Sequence, residues 1–251
     1  MPNLKHLISL KRRFSTFNQD LTVGRTQQII EAFDPSRIEK SFSFNDEKVS
    51  KYVTFFKSRE KVNAVLLFID ITAFSLKFES KTADQVVDFL DNYYKRVFPI
   101  VAKHGGEIEK IIGDGIIVVF GPPFLEGTSF ELHAQAENCA KEILERLSQT
   151  DFESKIALHY GEIMYYQNTS DEYYEYTMIG NALTNLFRLE SVSLNNSINF
   201  FSSTPFYYMK LVEKEGWDFS NTDRNKWEMS NLQPVNLQGV SNKYFTQLVL
   251  K

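Results

Sequence analysis

An uninterrupted apolar run at residues 64–69 ends in an acid, Asp70, and opens a regular alternation of extended and helical patterns. Such a run is typical of a central strand that is buried on both faces. Apolar residues then recur at helical spacing over residues 83–101, and His104-Gly105-Gly106 marks the end of this helix. The regular part of the chain therefore begins with a buried strand and a long amphipathic helix.

Two short apolar runs, residues 108–112 and 116–120, flank Gly113-Asp114-Gly115 and predict a β-hairpin with an acid at its tip. A second amphipathic helix is expected before residue 147, followed by a strand at 154–160. Strand, helix, hairpin, helix and strand in this order indicate an α+β fold with a ferredoxin-like βαββαβ core and additional strands. Further elements are expected as an aromatic strand or arm at 163–166, strands near 174–179, 198–202 and 244–250, and helices near 181–191 and 205–212.

Residues 1–60 differ from this regular part, because a basic amphipathic start is followed by a polar stretch with scattered aromatic residues. We interpret them as an N-terminal arm that packs on the main domain or on a partner subunit, and a partly mobile leader is the alternative. Residues 61–251 would form the main domain.

The composition excludes several classes of protein. Hydrophobic residues at 43% and charged residues at 24% are globular values, and a net charge of -4 argues against broad attraction to nucleic acid or to an anionic membrane. No apolar run approaches the about 20 residues of a membrane helix. The single cysteine, Cys139, cannot form an intrachain disulfide, which suits a reducing compartment. We expect a cytoplasmic protein that binds neither membranes nor nucleic acid.

Asp70 and Asp114 are the strongest candidates for chemistry. One ends a buried strand and the other lies at the tip of a hairpin expected beside it, so both carboxylates can meet at one end of the sheet. Mg²⁺ and Mn²⁺ prefer oxygen ligands and are commonly held by one or two carboxylates together with substrate phosphates. The alternative for Asp114 is that an acid between glycines only favours the turn.

Four motifs in this order resemble the class III nucleotidyl cyclases, the family of adenylate and guanylate cyclase catalytic domains. They are FIDITAFS at 68–75, GGEIEKIIGDGIIVVFG at 105–121, HYG at 159–161 and YTMIGNALTNLFRLE at 176–190. The likeness extends from about residue 63 to residue 250. It implies a cyclase-like sandwich fold and conversion of a ribonucleoside triphosphate to a 3′,5′-cyclic mononucleotide and pyrophosphate.

The same resemblance implies a metal and triphosphate site. Asp70, Asp114 and the carbonyl of Ile71 would bind two Mn²⁺ or Mg²⁺ ions. The triphosphate would meet the backbone amides of the turn formed by Thr72, Ala73, Phe74 and Ser75. The family's phosphate-binding lysine is replaced in Gln238-Gly239-Val240, and only Lys243 lies nearby.

Arg188 stands where the family has an arginine that meets the charge developing on the α-phosphate. The alternative is a surface arginine paired with Glu190 or another acid. Thr184 occupies the position of the family's ribose-orienting asparagine, and Asn185 follows it. Either the Thr184 hydroxyl orients the ribose, or a local shift brings in Asn185, or turnover is impaired. His159 in the HYG motif is expected to be structural.

The resemblance implies that Lys110 and Thr177 read the nucleobase, a pair similar to that of adenylate cyclases with threonine at this position. The alternative for Lys110 is an amine that extends to solvent. Because active sites in the family are shared between two chains, the resemblance also implies a twofold homodimer. Tyr165 and the tyrosines after it would form an arm that packs on the partner subunit.

The indications on the nucleotide conflict, and we favour a pyrimidine product in antiphage signalling, with cAMP as the alternative. A catalytic region with no sensor module resembles the pyrimidine cyclases of Pycsar antiphage systems. Thr184 and the altered segment 238–240 point in the same direction. These features favour cUMP or cCMP as the product, and a separate effector that responds to the cyclic nucleotide. Lys110 and Thr177 favour adenine, and hence cAMP. A pseudo-cyclase that binds nucleotide without turnover is the third hypothesis.

Overall fold

A nine-stranded sheet forms the centre of the computed structural model, which describes residues 54–170, 173–214 and 226–251. The first four strands are β1 (Lys61–Ile71), β2 (Glu107–Ile112), β3 (Gly115–Phe120) and β4 (Ser154–Ser170). They lie in the order β2-β3-β1-β4, and each neighbouring pair is antiparallel. Since helices connect β1 to β2 and β3 to β4, the predicted α+β fold with a ferredoxin-like core is confirmed.

The additional strands extend this core on the β4 side. They are β5 (Tyr173–Ile179), β6 (Ser197–Phe201), β7 (Trp227–Met229), β8 (Gln233–Pro234) and β9 (Tyr244–Leu250). β6 pairs parallel to the start of β4, β9 pairs antiparallel to β6, and β5 pairs with the second half of β4.

The sequence pattern suggested two separate segments where the structure has the single strand β4. Gly161 does not interrupt the strand, because it pairs with Ala64 in a continuous ladder with β1. A Cβ atom at Gly161 would lie 3.0 Å from the Cβ atom of Ala182, so the glycine allows the helix that follows β5 to pack closely on the sheet.

Two long helices cover one face of the sheet. α1 (Phe74–Phe78) is a single short turn, whereas α2 (Ala83–Lys103) and α3 (Ser129–Leu147) each begin with a capping box, at Thr82 and Thr128. Alternate β1 residues pack against α2 and α3: Val65, Leu67, Ile69 and Ile71. None of the helices in the described part of the chain is long and apolar enough to cross a membrane.

The opposite face of the sheet carries the shorter helix α4 (Asn181–Glu190) and the folded-over arm made by β4 and β5. α5 (Pro205–Lys214) follows β6. Leu66 and Phe68 of β1 belong to this second core. Because side chains alternate along a strand, Asp70 lies on this face as well.

Most of the N-terminal arm predicted for residues 1–60 lies outside the described residues, so the arm stays a prediction. Residues 54–58 are helical, and the ring of Phe56 contacts the ring of Tyr165 at a centroid distance of 4.9 Å. Tyr165 is itself fully buried, and its hydroxyl donates to the Pro122 carbonyl at 2.9 Å. The prediction that Tyr165 packs on a partner subunit is therefore wrong, because this side chain belongs to the chain's own core.

Candidate active site

The side chains of Asp70 and Asp114 lie within hydrogen-bonding reach of each other. Asp70 is near the end of β1, and Asp114 lies in the turn between β2 and β3, where Ile112 pairs with Gly115. β3 pairs directly with β1, which brings the turn next to the end of β1. Gly113 supplies the left-handed backbone of this turn, with φ of 60°. The predicted meeting of two carboxyl groups at one end of the sheet is present.

The electrostatic environment of Asp70 favours a proton or a cation. Burial, and next the adjacent Asp114 carboxyl, raise the pKa of Asp70 from 3.8 to about 6, although Lys155 acts in the opposite direction. The described residues contain no group of three or more acidic, histidine or cysteine side chains that could hold a metal alone. Two adjacent carboxylates fit a divalent cation that takes its remaining ligands from water and substrate phosphates.

Lys155 is a site residue that sequence reasoning missed. It pairs with Asp70 in the β1–β4 ladder, and its Nζ atom lies 3.4 Å from Asp70 Oδ2 and 2.8 Å from Glu190 Oε1. Burial alone would lower the pKa of Lys155, but Glu190 and Asp70 outweigh it and raise the pKa. The ammonium group therefore connects α4 to the carboxyl pair.

Tyr94 of α2 supports the turn between β2 and β3 through a hydrogen bond. Its hydroxyl donates to the Gly113 carbonyl at 2.7 Å. Burial, and next Asp114, raise the pKa of Tyr94 to about 12, so the hydroxyl stays protonated and keeps its hydrogen to donate. Tyr94 thus holds the turn that carries Asp114.

The turn after β1 differs from the expectation in one respect. The Thr72 amide donates to the Glu153 carbonyl at 2.8 Å, so this amide is already bonded and its predicted contact with a triphosphate is corrected. Ala73 has a left-handed backbone with φ of 55°, and Phe74 and Ser75 begin α1, where the first amides have no intrahelical acceptor.

The Thr72 hydroxyl is buried without a hydrogen-bond partner in the structure. A buried polar atom left in this way next to the carboxyl pair fits a ligand that binds here.

Lys110 and Thr177 are brought together, although their strands are not neighbours in the sheet. The arm of β4 and β5 folds over the face of β1, and Lys110 Nζ lies 3.5 Å from Thr177 Oγ1. The same Thr177 hydroxyl donates to Glu109 Oε1 at 3.0 Å, and the Met178 amide donates to that oxygen at 3.2 Å. Glu109 is a second residue that sequence reasoning missed.

Arg188 lies on the exposed side of α4 and takes part in none of the ion pairs found among the described residues. The alternative of an Arg188–Glu190 pair is not seen, because Glu190 binds Lys155 instead. One residue earlier, the ring of Phe187 packs edge-on against Phe68 at 5.5 Å.

Asn185 and Thr184 point in different directions. Asn185 Nδ2 lies 3.3 Å from Nε2 of His159, whereas the Thr184 side chain is exposed. Burial lowers the pKa of His159 to about 4, so the imidazole is neutral inside the protein, as its expected structural role requires. α4 is an uninterrupted helix across both residues. The local shift that would place Asn185 in the position of Thr184 is therefore absent.

Lys243 is not brought to the carboxyl pair. It precedes Phe245, which pairs with Phe201 at the far end of β6, whereas Asp70 pairs with the start of β4. At about 3.3 Å per residue, these positions are about 20 Å apart along the strands. Val240 in the altered segment is buried in the core.

Comparison with known proteins points to one family. The family model described as the adenylate and guanylate cyclase catalytic domain matches residues 56–247. A curated relative, the terminal-differentiation specific adenylate cyclase of Dictyostelium discoideum, is 32% identical over 89 residues, which cover 36% of this chain and 4% of the relative. The chain spans between 4% and 30% of the length of the curated relatives that it matches.

Solved structures show the same fold. The guanylate cyclase domain of RhGC from Catenaria anguillulae in complex with GTP has a TM-score of 0.61 at 18% identity and covers 76% of this chain and 99% of that chain. The adenylyl cyclase CyaB from P. aeruginosa has a TM-score of 0.59 at 21% identity and covers 76% of this chain and 96% of that chain.

Proposed function

The chain belongs to the family of adenylate and guanylate cyclase catalytic domains, and from this premise we propose that it is a metal-dependent nucleotidyl cyclase. It converts a ribonucleoside triphosphate to a 3′,5′-cyclic mononucleotide and pyrophosphate. The observation that carries this proposal is the contact between the carboxyl groups of Asp70 and Asp114. The family match confirms the resemblance to class III cyclases that the four sequence motifs suggested.

In this proposal Asp70 and Asp114 hold two Mg²⁺ or Mn²⁺ ions, with the Ile71 carbonyl as a further ligand. The ions, when bound, lower the pKa of the ribose 3′-hydroxyl and neutralise phosphate oxygens. Lys155 keeps the Asp70 carboxylate in place through its contact at 3.4 Å. The amides of Ala73, Phe74 and Ser75 receive phosphate oxygens.

The ribose 3′-oxygen attacks the α-phosphorus in line, the bond to the bridging oxygen breaks, and pyrophosphate leaves. Arg188 stabilises the negative charge that grows on the α-phosphate, a role that suits a guanidinium group. The exposed Thr184 hydroxyl is the better candidate for orienting the ribose, because the Asn185 side chain is engaged with His159.

A twofold homodimer with two shared sites is part of the proposal. Within one chain, Lys243 lies about 20 Å along the strands from the Asp70 position, and the exposed Arg188 has no acidic partner among the described residues. Large apolar side chains are exposed on the hairpin, on β5 and on α4: Ile112, Ile179 and Phe187. A second copy that covers these side chains would supply Arg188 and Lys243 to the carboxyl pair of its partner.

Adenine is the first candidate base and cAMP the first candidate product. Two of the curated relatives are named as adenylate cyclases, and Lys110 and Thr177 are in contact. The sequence-based hypothesis of cUMP or cCMP in antiphage signalling, with a separate effector, gains no support from these comparisons.

The test is incubation of the purified protein with Mn²⁺ and each of ATP, GTP, CTP and UTP, with products separated by chromatography. A cyclic product that disappears in Asp70→Ala, but not in the exposed control Asp88→Ala, is the expected result. If the wild type forms no cyclic product from any nucleotide and its activity equals that of Asp70→Ala, the protein is the pseudo-cyclase of the third hypothesis, and the proposal is wrong.

A further inference from the structure

We propose that Glu109 determines base specificity by fixing the direction of the Thr177 hydroxyl, so that the site takes nucleotides with a 6-amino group of adenine or a 4-amino group of cytosine beside an unprotonated ring nitrogen. ATP and CTP are then substrates, and GTP and UTP are rejected. This inference rests on the proposed cyclase function and concerns its base-binding part.

The hydrogen bonds of one oxygen atom carry the first step. Glu109 is buried, with 8% of its surface exposed, and its Oε1 atom accepts from the Met178 amide at 3.2 Å. The Thr177 hydroxyl donates to the same Oε1 atom at 3.0 Å, so this oxygen accepts two hydrogen bonds, one from the amide and one from the hydroxyl.

A hydroxyl group has one hydrogen to donate. Because Glu109 takes that hydrogen, Thr177 can offer a base only its lone pairs. Lys110, whose Nζ atom lies 3.5 Å from Thr177 Oγ1, is a donor only. Together the two side chains present one hydrogen-bond acceptor beside one donor.

This pattern matches two of the four bases. On the edge that carries position 6 of a purine or position 4 of a pyrimidine, adenine and cytosine have an amino donor next to a ring nitrogen that accepts. On the same edge, guanine and uracil have a carbonyl oxygen next to an N–H group. With guanine or uracil, the carbonyl oxygen would face Thr177 lone pairs and the ring N–H would face the Lys110 ammonium. A site that leaves buried polar groups unpaired in this way rejects the wrong ligand strongly.

A bulge in β2 makes the arrangement possible. Ile108 pairs with Val118 and Lys110 pairs with Ile117, so Glu109 is an extra residue in the ladder. In a regular strand, Glu109 and Lys110 would point to opposite faces of the sheet. The extra residue lets both side chains reach Thr177, as their contacts show.

The experiment measures kcat/KM and the dissociation constant for all four nucleotides in three proteins. The wild type is expected to prefer ATP over GTP and CTP over UTP. Glu109→Gln keeps an oxygen that accepts both hydrogen bonds, so both preferences should persist. Glu109→Leu frees the Thr177 hydroxyl to rotate and donate, and each preference should fall by about tenfold, the range expected for one hydrogen bond. Glu107→Leu, a buried acid two residues earlier on β2, is the matched control and should leave the preferences unchanged.

Three outcomes overturn the inference: a wild type that prefers GTP or UTP, an equal loss for all four nucleotides in Glu109→Leu, or a loss of preference in Glu109→Gln. If Glu109→Leu does not fold, Glu109→Asp replaces it, since the shorter side chain also releases Thr177 and should lower both preferences. Absence of turnover with every nucleotide would count against the proposed function alone, because the four dissociation constants still rank the bases.

Discussion

Lys155 and Asp70 stand opposite each other in the β1–β4 ladder, with 3.4 Å between the ammonium nitrogen and the nearer carboxylate oxygen. The same nitrogen binds Glu190 of α4 at 2.8 Å. One cation therefore connects the strand that carries the first candidate metal ligand to the helix that carries Arg188.

We expect Lys155→Met to lower the free energy of unfolding by about 1–3 kcal/mol, because Glu190 loses its partner in a largely buried position. Urea denaturation monitored by circular dichroism measures the change. Lys61→Met is the matched control, since the Lys61–Glu162 pair is more than half exposed and should cost less than about 1 kcal/mol. Equal effects of the two substitutions on the free energy of unfolding would contradict the expectation that the Lys155–Glu190 pair stabilises the fold more than the exposed pair.

Asp70→Asn should stabilise the metal-free protein at neutral pH. Because the pKa of Asp70 is raised from 3.8 to about 6, its proton stabilises the fold below about pH 4, and this contribution is lost as the pH rises through about 6. The amide cannot ionise, so we expect a gain of about 1 kcal/mol at pH 7, reduced from the full shift because Asp70 is partly exposed.

Thermal unfolding of metal-free wild type and Asp70→Asn at pH 4 and pH 7 checks this expectation, and the difference should appear at pH 7. Added Mn²⁺ should raise the Tm of the wild type but not that of Asp70→Asn. Asp88→Asn on the exposed side of α2 should behave as the wild type in both experiments. A Mn²⁺ response that survives in Asp70→Asn would show that the cation binds elsewhere.

Tyr94→Phe removes the hydroxyl that donates to the Gly113 carbonyl. The turn that carries Asp114 then loses its support from α2, and we expect a threefold to tenfold weaker apparent affinity for Mn²⁺, about the value of one hydrogen bond. A Mn²⁺ titration of Tm and of initial rate measures the effect. Tyr208→Phe, which alters an exposed hydroxyl on α5, should leave the titration unchanged.

The shared-site arrangement predicts complementation between two inactive variants. Asp70→Ala and Arg188→Ala should each be inactive alone, yet an equal mixture should regain about one quarter of wild-type activity, because half of the dimers contain one intact site. The mixture is prepared by co-expression with two different tags. Activity no higher than that of the separate variants would place Asp70 and Arg188 in the same chain's site.

The meeting of Asp70 and Asp114 could be predicted because each acid ends a local pattern, an apolar run in one case and a glycine turn in the other. Lys155, Tyr94 and Glu109 could not be predicted in the same way. Lys155 depends on the register between distant strands, and Glu109 depends on a bulge that leaves no periodic signal.

The division of β4 into two predicted segments, 154–160 and 163–166, was wrong for a related reason. A glycine inside an extended pattern suggests a break when only the sequence is considered, but here it admits a close helix contact in an unbroken strand. The Thr72 amide was likewise predicted to bind a triphosphate, but it donates to the carbonyl of Glu153, which lies in the loop before β4. Local patterns fix the elements, whereas contacts between distant elements decide which polar groups remain free for a ligand.

The bulge in β2 separates the architecture of the domain from its chemistry. Ile108 and Ile111 both pack on the side of α2 and α3, and a strand without Glu109 would alternate regularly, keep both isoleucines on that side and still present Lys110. If Glu109 has the role proposed above, gain or loss of this one residue would add or remove base discrimination while the hydrophobic interior stayed as it is.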